Sequence, residues 1–184
     1  MCIRDRFQAE GGWLRRYDLS APAQPLLREI LNLREPQGGL EWSIETLRFD
    51  AEGNRLGVLT RSPDGRGKAW LLEFGRGSSY VVCLTEPVPM RPVALDFDQA
   101  LLVAAFRGEP ASSHGRVVLY RIVPDRVIGP VWQEDLGFEP RDVRLVGARA
   151  VLTGAPAGPR TLALPVGSRE PPPPKKGGGA RSIP

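Results

Sequence analysis

Three segments of this chain align without gaps at one fixed offset. Leu47-Arg48-Phe49-Asp50, Leu95-Asp96-Phe97-Asp98 and Val143-Arg144-Leu145-Val146 each stand 48 residues after the one before. Other features keep the same step: Trp70-Leu71-Leu72-Glu73-Phe74 falls on Val118-Leu119-Tyr120-Arg121-Ile122, Tyr80-Val81-Val82-Cys83-Leu84 falls on Ile128-Gly129-Pro130-Val131-Trp132, and Pro92 falls on Pro140. Self-similarity at a period of this size limits the fold to stacked or circularly arranged units, each too small to bury a core alone.

The units are stranded. Runs rich in Val, Leu, Ile and aromatics are separated by Gly, Pro, Asp and Ser about 8 to 12 residues apart, which is the pattern of short antiparallel strands. Residues 44–49, 56–61, 68–74 and 80–84 read as strands a, b, c and d of one unit, and 93–97, 101–106, 116–122 and 127–132 as those of the next. Asp50-Ala51-Glu52-Gly53-Asn54 and Ser62-Pro63-Asp64-Gly65 supply the turn residues between a and b and between b and c. Pro92 and Pro140 enter strand a, where a missing N–H breaks no ladder bond. No apolar 3.6 period persists for three turns.

Four strands per unit at this period predict an all-β fold, a partial β-propeller with four-stranded antiparallel blades. Its complete blades are expected at 43–84 and 92–132, with partial ones at 13–33 (strands c and d) and 141–166 (strands a, b and c). Residues 167–184, with Pro171 to Pro174, Lys175-Lys176 and Gly177 to Gly179, are expected to form a disordered tail. Many propellers close by borrowing one strand from the N-terminal end of the chain, so a last blade that stops at strand c predicts the C-terminal part of a ring. Met1-Cys2-Ile3-Arg4-Asp5-Arg6 resembles a translated sequencing adapter. Residues 1–6 are therefore expected not to be natural sequence, and part of the protein to precede Phe7.

The stretch from Leu47 to Leu56, followed by Ser62-Pro63-Asp64-Gly65 and an apolar strand c, resembles the WD-repeat pattern. Leu14-Arg15-Arg16-Tyr17-Asp18-Leu19 is similar to the end of its strand c, with Tyr17-Asp18 in place of Trp-Asp. The resemblance spans residues 13–166 and implies propeller blades. The other c strands end in Glu73-Phe74 and Arg121-Ile122, and no Gly-His pair precedes a strand a. The family's buried Asp-His network is therefore not implied. Kelch glycine pairs and a recurrent Trp motif do not keep the period.

The chain's net charge of +4 belongs to its ends: residues 7–166 sum to zero. A neutral body gives no footprint for nucleic acid. With Cys2 set aside, Cys83 is a lone thiol expected to be buried, and no apolar run approaches the ~18 residues of a membrane span.

Chemistry is sparse. His114 is the sole histidine, and Ser112, Ser113 and Glu109 beside it read as polar loop. Gly65-Arg66-Gly67-Lys68 lacks the flanking glycine and hydroxyl of a phosphate loop and reads as a turn. Asp50, Asp96 and Asp98 read as partners of turn amides. No catalytic, cofactor-binding or metal-binding residue is assigned, and no cofactor is expected.

The function expected is a non-catalytic interaction or scaffold domain with a protein or peptide partner. The face carrying the b–c and d–a loops would hold Arg61, Arg66, Glu86, Met90, Arg91, Arg107, Glu109, His114, Glu134, Asp135 and Phe138, a mixed-charge surface with apolar points. The alternative is a propeller-based or propeller-linked hydrolase or oxidoreductase whose catalytic residues lie upstream of Phe7.

Overall fold

The computed structural model describes residues 5–10, 12–18, 23–24, 26–33, 42–50, 54–74, 79–108, 114–123, 126–155 and 158–165. The expected tail at 167–184, the loop residues Glu109, Ser112 and Ser113, and the side chain of Cys83 lie outside this description. The described residues form four antiparallel sheets and no helix. The first holds β1 (Asp5–Glu10), β2 (Trp13–Asp18) and β3 (Leu26–Asn32); the second holds β4 (Ser43–Phe49), β5 (Arg55–Arg61), β6 (Gly67–Phe74) and β7 (Ser79–Leu84). The third holds β8 (Arg91–Phe97), β9 (Leu101–Arg107), β10 (Gly115–Val123) and β11 (Arg126–Leu136), and the fourth β12 (Glu139–Val146), β13 (Arg149–Ala155) and β14 (Arg160–Ala163). Each strand pairs with its sequence neighbour, and each sheet is a propeller blade.

The blades stack face to face, and the core lies in the seams. Strand β9 shows how: Leu101, Val103 and Ala105 pack toward the fourth blade, while Leu102, Ala104 and Phe106 pack toward the second. Alternate side chains point to opposite faces of a strand. With a blade on each side, both sets are fully buried, so the sequence runs apolar without interruption. Leu56, Val58, Trp70 and Leu72 fill the first seam with Leu14 and Leu33. Each aliphatic side chain buried in this way contributes about 1.5–3 kcal/mol.

Two devices recur from blade to blade. Each a strand carries a bulge at Glu45, Val93 and Arg141, positions 48 apart. The second and third bulges follow Pro92 and Pro140, so the prolines sit where the ladder is already interrupted. Opposite each proline is a glycine that opens strand c of the preceding blade. A Cβ on Gly67 would lie 2.8 Å from Pro92 Cδ, and one on Gly115 would lie 2.2 Å from Pro140 Cδ. The Gly–Pro contact sets how closely successive blades approach.

The a–b turns confirm the expected roles of two aspartates. Asp50 Oδ1 accepts the amides of Asn54 (2.8 Å) and Arg55 (3.2 Å), and Asp98 Oδ1 accepts those of Ala100 (2.8 Å) and Leu101 (2.9 Å). The third blade's turn is shorter by two residues, and the b–c connection that follows is longer by two. The period survives, but strand b shifts: Arg61 faces Ser43, and its counterpart facing Arg91 is Arg107, not Glu109.

Three expectations are corrected. The first blade has an additional strand, β1, hydrogen-bonded to β2 from Asp5↔Asp18 to Glu10↔Trp13. It begins inside the hexapeptide Met1–Arg6. Strand d of the third blade runs on to Leu136, so Glu134 and Asp135 belong to β11 and not to a loop. Phe138 is buried, at 2 % exposure. Gly154 makes room for its ring, since a Cβ there would lie 2.6 Å from Phe138 Cδ2, and the Arg160 guanidinium covers it at 5.2 Å from the centroid.

Candidate interaction face

The b–c and d–a connections emerge together and are built on short backbone ties. In the second blade the Gly65 amide donates to Ser62 O (3.0 Å) and the Ser62 amide to Arg66 O (2.9 Å), closing the turn expected at Ser62-Pro63-Asp64-Gly65. The d–a connection is stitched to the start of β6. Gly67 and Val88 exchange both backbone bonds at 2.8 Å, and Thr85 Oγ1 accepts the Ala69 amide at 3.0 Å. This holds Val88 and Met90, both partly buried, against the core of the seam between the second and third blades.

Most of the arginines expected to offer free charge are paired within the chain. Arg66 Nε lies 2.7 Å from Asp64 Oδ2, Arg91 Nη2 lies 3.4 Å from Glu45 Oε2, and Arg107 Nη1 lies 2.7 Å from Glu139 Oε1. The last two cross from one blade to the next. Arg116 meets Asp135 directly across β10 and β11 at 2.6 Å. Arg61 differs: its Nε is buried with no hydrogen-bond partner among the described residues. Glu86, His114 and Glu134 are exposed.

Two carboxyls here are held below the usual range. The Asp135 carboxyl is lowered chiefly by its hydrogen bond from Arg116, then by the charges of Arg116 and His114. Asp64 is lowered chiefly by the Ser62 hydroxyl and also by Arg66. A depressed folded-state value stabilises the fold above the unfolded carboxyl's pKa, and this is lost as pH falls through the lower, folded value. Carboxyl chemical shifts should therefore show Asp64 and Asp135 titrating below 3.8. Arg116→Gln should return Asp135 toward that value and leave Asp64 in place.

On the strands that line the centre of the stack, the repeat brings charged residues together. Arg48, Asp96 and Arg144 stand 48 apart in β4, β8 and β12. Arg48 Nε donates to Asp96 Oδ1 at 3.2 Å, and Asp96 Oδ2 accepts the Leu145 amide at 2.8 Å. Arg144 turns to Asp142 at 2.9 Å. Asp96 therefore joins three consecutive blades, whereas the sequence suggested only a turn amide for it.

Sequence reasoning also passed over Lys68. It is buried in β6, with its ammonium 5.6 Å from the ring centroids of both Trp42 and Trp70. Thr60 Oγ1 accepts the Trp70 indole N–H at 2.7 Å and fixes that ring. No repeat signal marks this arrangement, because Trp42 and Trp70 do not share a register. Among the described residues, no group of three or more His, Cys, Asp or Glu side chains is placed to hold a metal ion, and no helix is long and apolar enough to cross a membrane.

No family model matches the chain, and no curated protein matches it. Solved structures do. A computationally designed protein, Ika4, is 14% identical with a TM-score of 0.58, the match covering 90% of this chain and 88% of that one. The periplasmic gluconolactonase PpgL of Pseudomonas aeruginosa is 16% identical with a TM-score of 0.53, and the designed protein Ika8 is 16% identical with a TM-score of 0.53. These matches cover 88% and 89% of this chain but only 40% and 44% of PpgL and Ika8. At such identities the likeness speaks to the fold alone, and that fold is an all-β, propeller-type stack of antiparallel blades.

Proposed function

We propose that this chain is a non-catalytic interaction domain that binds a protein or peptide on the face of its b–c and d–a connections. The supporting observation is the layout around Val88 and Met90. These partly exposed apolar residues rest on the core; Glu86 and Arg91 flank them along the chain, Arg66 precedes the Gly67 that bridges to Val88, and Arg107 pairs across the ladder with Arg91. An apolar centre inside a polar rim is the anatomy of a protein interface. The rim arginines are already ordered by Asp64, Glu45 and Glu139, which lowers the entropy cost of docking. The WD-like repeat pattern accords with the same role.

Photo-crosslinkers placed at Glu86 and His114, compared with ones at Asn54 and Gln99 on the opposite a–b turns, test this reading. A protein partner captured from Glu86 and His114, and weakened by Met90→Asp, is the expected result. Capture from the a–b turns alone would overturn it.

A further inference from the structure

Each blade after the first opens on an a strand, β4, β8 or β12, that pairs with strand b of the same blade. The first blade consists of β1, β2 and β3, whose pairing makes them its strands b, c and d. β1 (Asp5–Glu10) is therefore an edge strand, and among the described residues no strand pairs with its other side. An open strand edge is a row of backbone donors and acceptors that a further strand can use.

The absent a strand leaves a second mark, on β4. In the later seams an a strand rests on strands a and b of the blade before it: β8 on β4 and β5, and β12 on β8 and β9. In the first blade β4 meets β1, with no a strand beside it. Its side chains directed at that blade are less covered than their repeat equivalents. Ile44 is half-buried where Pro92 and Pro140, one and two periods later, are buried, and Leu47 is half-buried where Leu95 is 2% and Val143 0% exposed. The open edge of β1 and these apolar residues of β4 border a slot one strand wide.

We propose that this slot binds an extended segment of another polypeptide, which adds to β1 as strand a of the first blade. Strand addition draws affinity from backbone bonds and selectivity from alternate side chains, and the chain's own a strands supply the pattern. Thr46 Oγ1 donates to Val93 O of the next a strand at 3.1 Å, and Asp96 Oδ2 accepts the Leu145 amide of the one after at 2.8 Å. One period earlier, the equivalent acceptor on β4 is the carbonyl of Glu45, at the bulge, and the equivalent donor is the Phe49 amide. A segment with threonine at one position and aspartate two residues later, set between apolar residues, matches both. The slot is built from strand backbone and β4 side chains, so the inference does not rest on the interaction face proposed above.

Fluorescence anisotropy of the full chain with a labelled peptide of residues 43–50 carrying Arg48→Asp provides the test. A scrambled peptide of the same composition should bind at least about tenfold more weakly. N-methylation of the alternate peptide amides that face β1 should cost about tenfold or more, as for the loss of two or more backbone hydrogen bonds, whereas N-methylation of the intervening amides should cost nothing. Leu47→Asp in the chain should weaken binding to a similar degree, and Val146→Asp on the fourth blade should leave it unchanged. The N-methyl comparison uses the parent chain alone, so it holds even if Leu47→Asp does not fold. No binding by the parent chain, equal binding of the scrambled peptide, or equal effects of the two N-methyl sets would overturn the assignment. Protection of the β1 amides from hydrogen exchange before peptide is added, in a chain that light scattering shows to be dimeric, would give the slot to a second copy and overturn it as well.

Discussion

Phe106→Ala is expected to destabilise the chain by about 3–5 kcal/mol. Phe106 is fully buried at the end of β9, among Leu59, Leu71, Leu95 and Tyr120 in the seam between the second and third blades. Its ring also fills the space left open by Gly67, where a Cβ would come within 2.8 Å of Phe106 Cε1. Removing it leaves a cavity bounded by two sheets, each held by its own ladder, and neither can collapse into the gap without disturbing its outer seam. For a chain of this length the loss corresponds to a fall in Tm of about 6–20 °C. Val146→Ala, at a residue 59% exposed, should change stability by less than about 0.5 kcal/mol. A loss below about 1 kcal/mol for Phe106→Ala, measured by urea denaturation, would show that this seam is not packed as described.

Asp96→Ala should cost about 2–4 kcal/mol, for a different reason. Its side chain is 13% exposed, and its two oxygens serve Arg48 in the second blade and the Leu145 amide in the fourth. Truncation leaves a half-buried guanidinium without its counter-charge and a strand amide without its acceptor. Asp96→Asn keeps an oxygen for the Leu145 amide and gives up the charge, so it should lose less than half as much. Arg48→Ala should lose less still, because Arg48 is 34% exposed and Asp96 retains the Leu145 amide. A double-mutant cycle between Arg48 and Asp96 should give a coupling of about 0.5–2 kcal/mol. Equal losses in the Ala and Asn variants would remove the Leu145 bond from the account.

Most of the strand architecture was legible because two sequence signals coincide. The 48-residue step identifies the unit, and the turn residues divide it. Eleven of the 14 strands match the expected spans to within two residues at each end. The exceptions have local causes. Strand β1 was not expected because its first two residues belong to the adapter-like hexapeptide that was set aside. Strand β14 ends three residues short of its expected end. Strand β11 runs four residues past its expected end because pairing with β10 continues through Glu134 and Asp135, polar residues that look like loop in a linear reading.

The candidate face was legible only in part. The sequence identified the arginines and acids of its loops, yet an ion pair is a fact of distance between blades. Arg91 with Glu45 and Arg107 with Glu139 join positions 46 and 32 residues apart. Phe138 was expected as an exposed apolar point and is buried, because the missing Cβ of Gly154 leaves space for its ring. A linear sequence does not show which glycine faces which aromatic.

The all-β class, the four-stranded unit, the position of its turns and the capping roles of Asp50 and Asp98 could all be read from the linear chain. Each follows from interactions between residues close along the chain or from the repeat itself. Packing of blade on blade was needed to show that Asp96 ties three blades together and that Phe138 belongs to the core. It was needed, too, to show that the buried Arg61 Nε meets no acid among the described residues. The physical reason is a two-residue shift. The shorter a–b turn of the third blade moves strand b out of step with the sequence period, so Arg61 corresponds to Arg107 and not to Glu109. Backbone pairing determines that correspondence, and the residue facing it across the seam determines whether the charge is met.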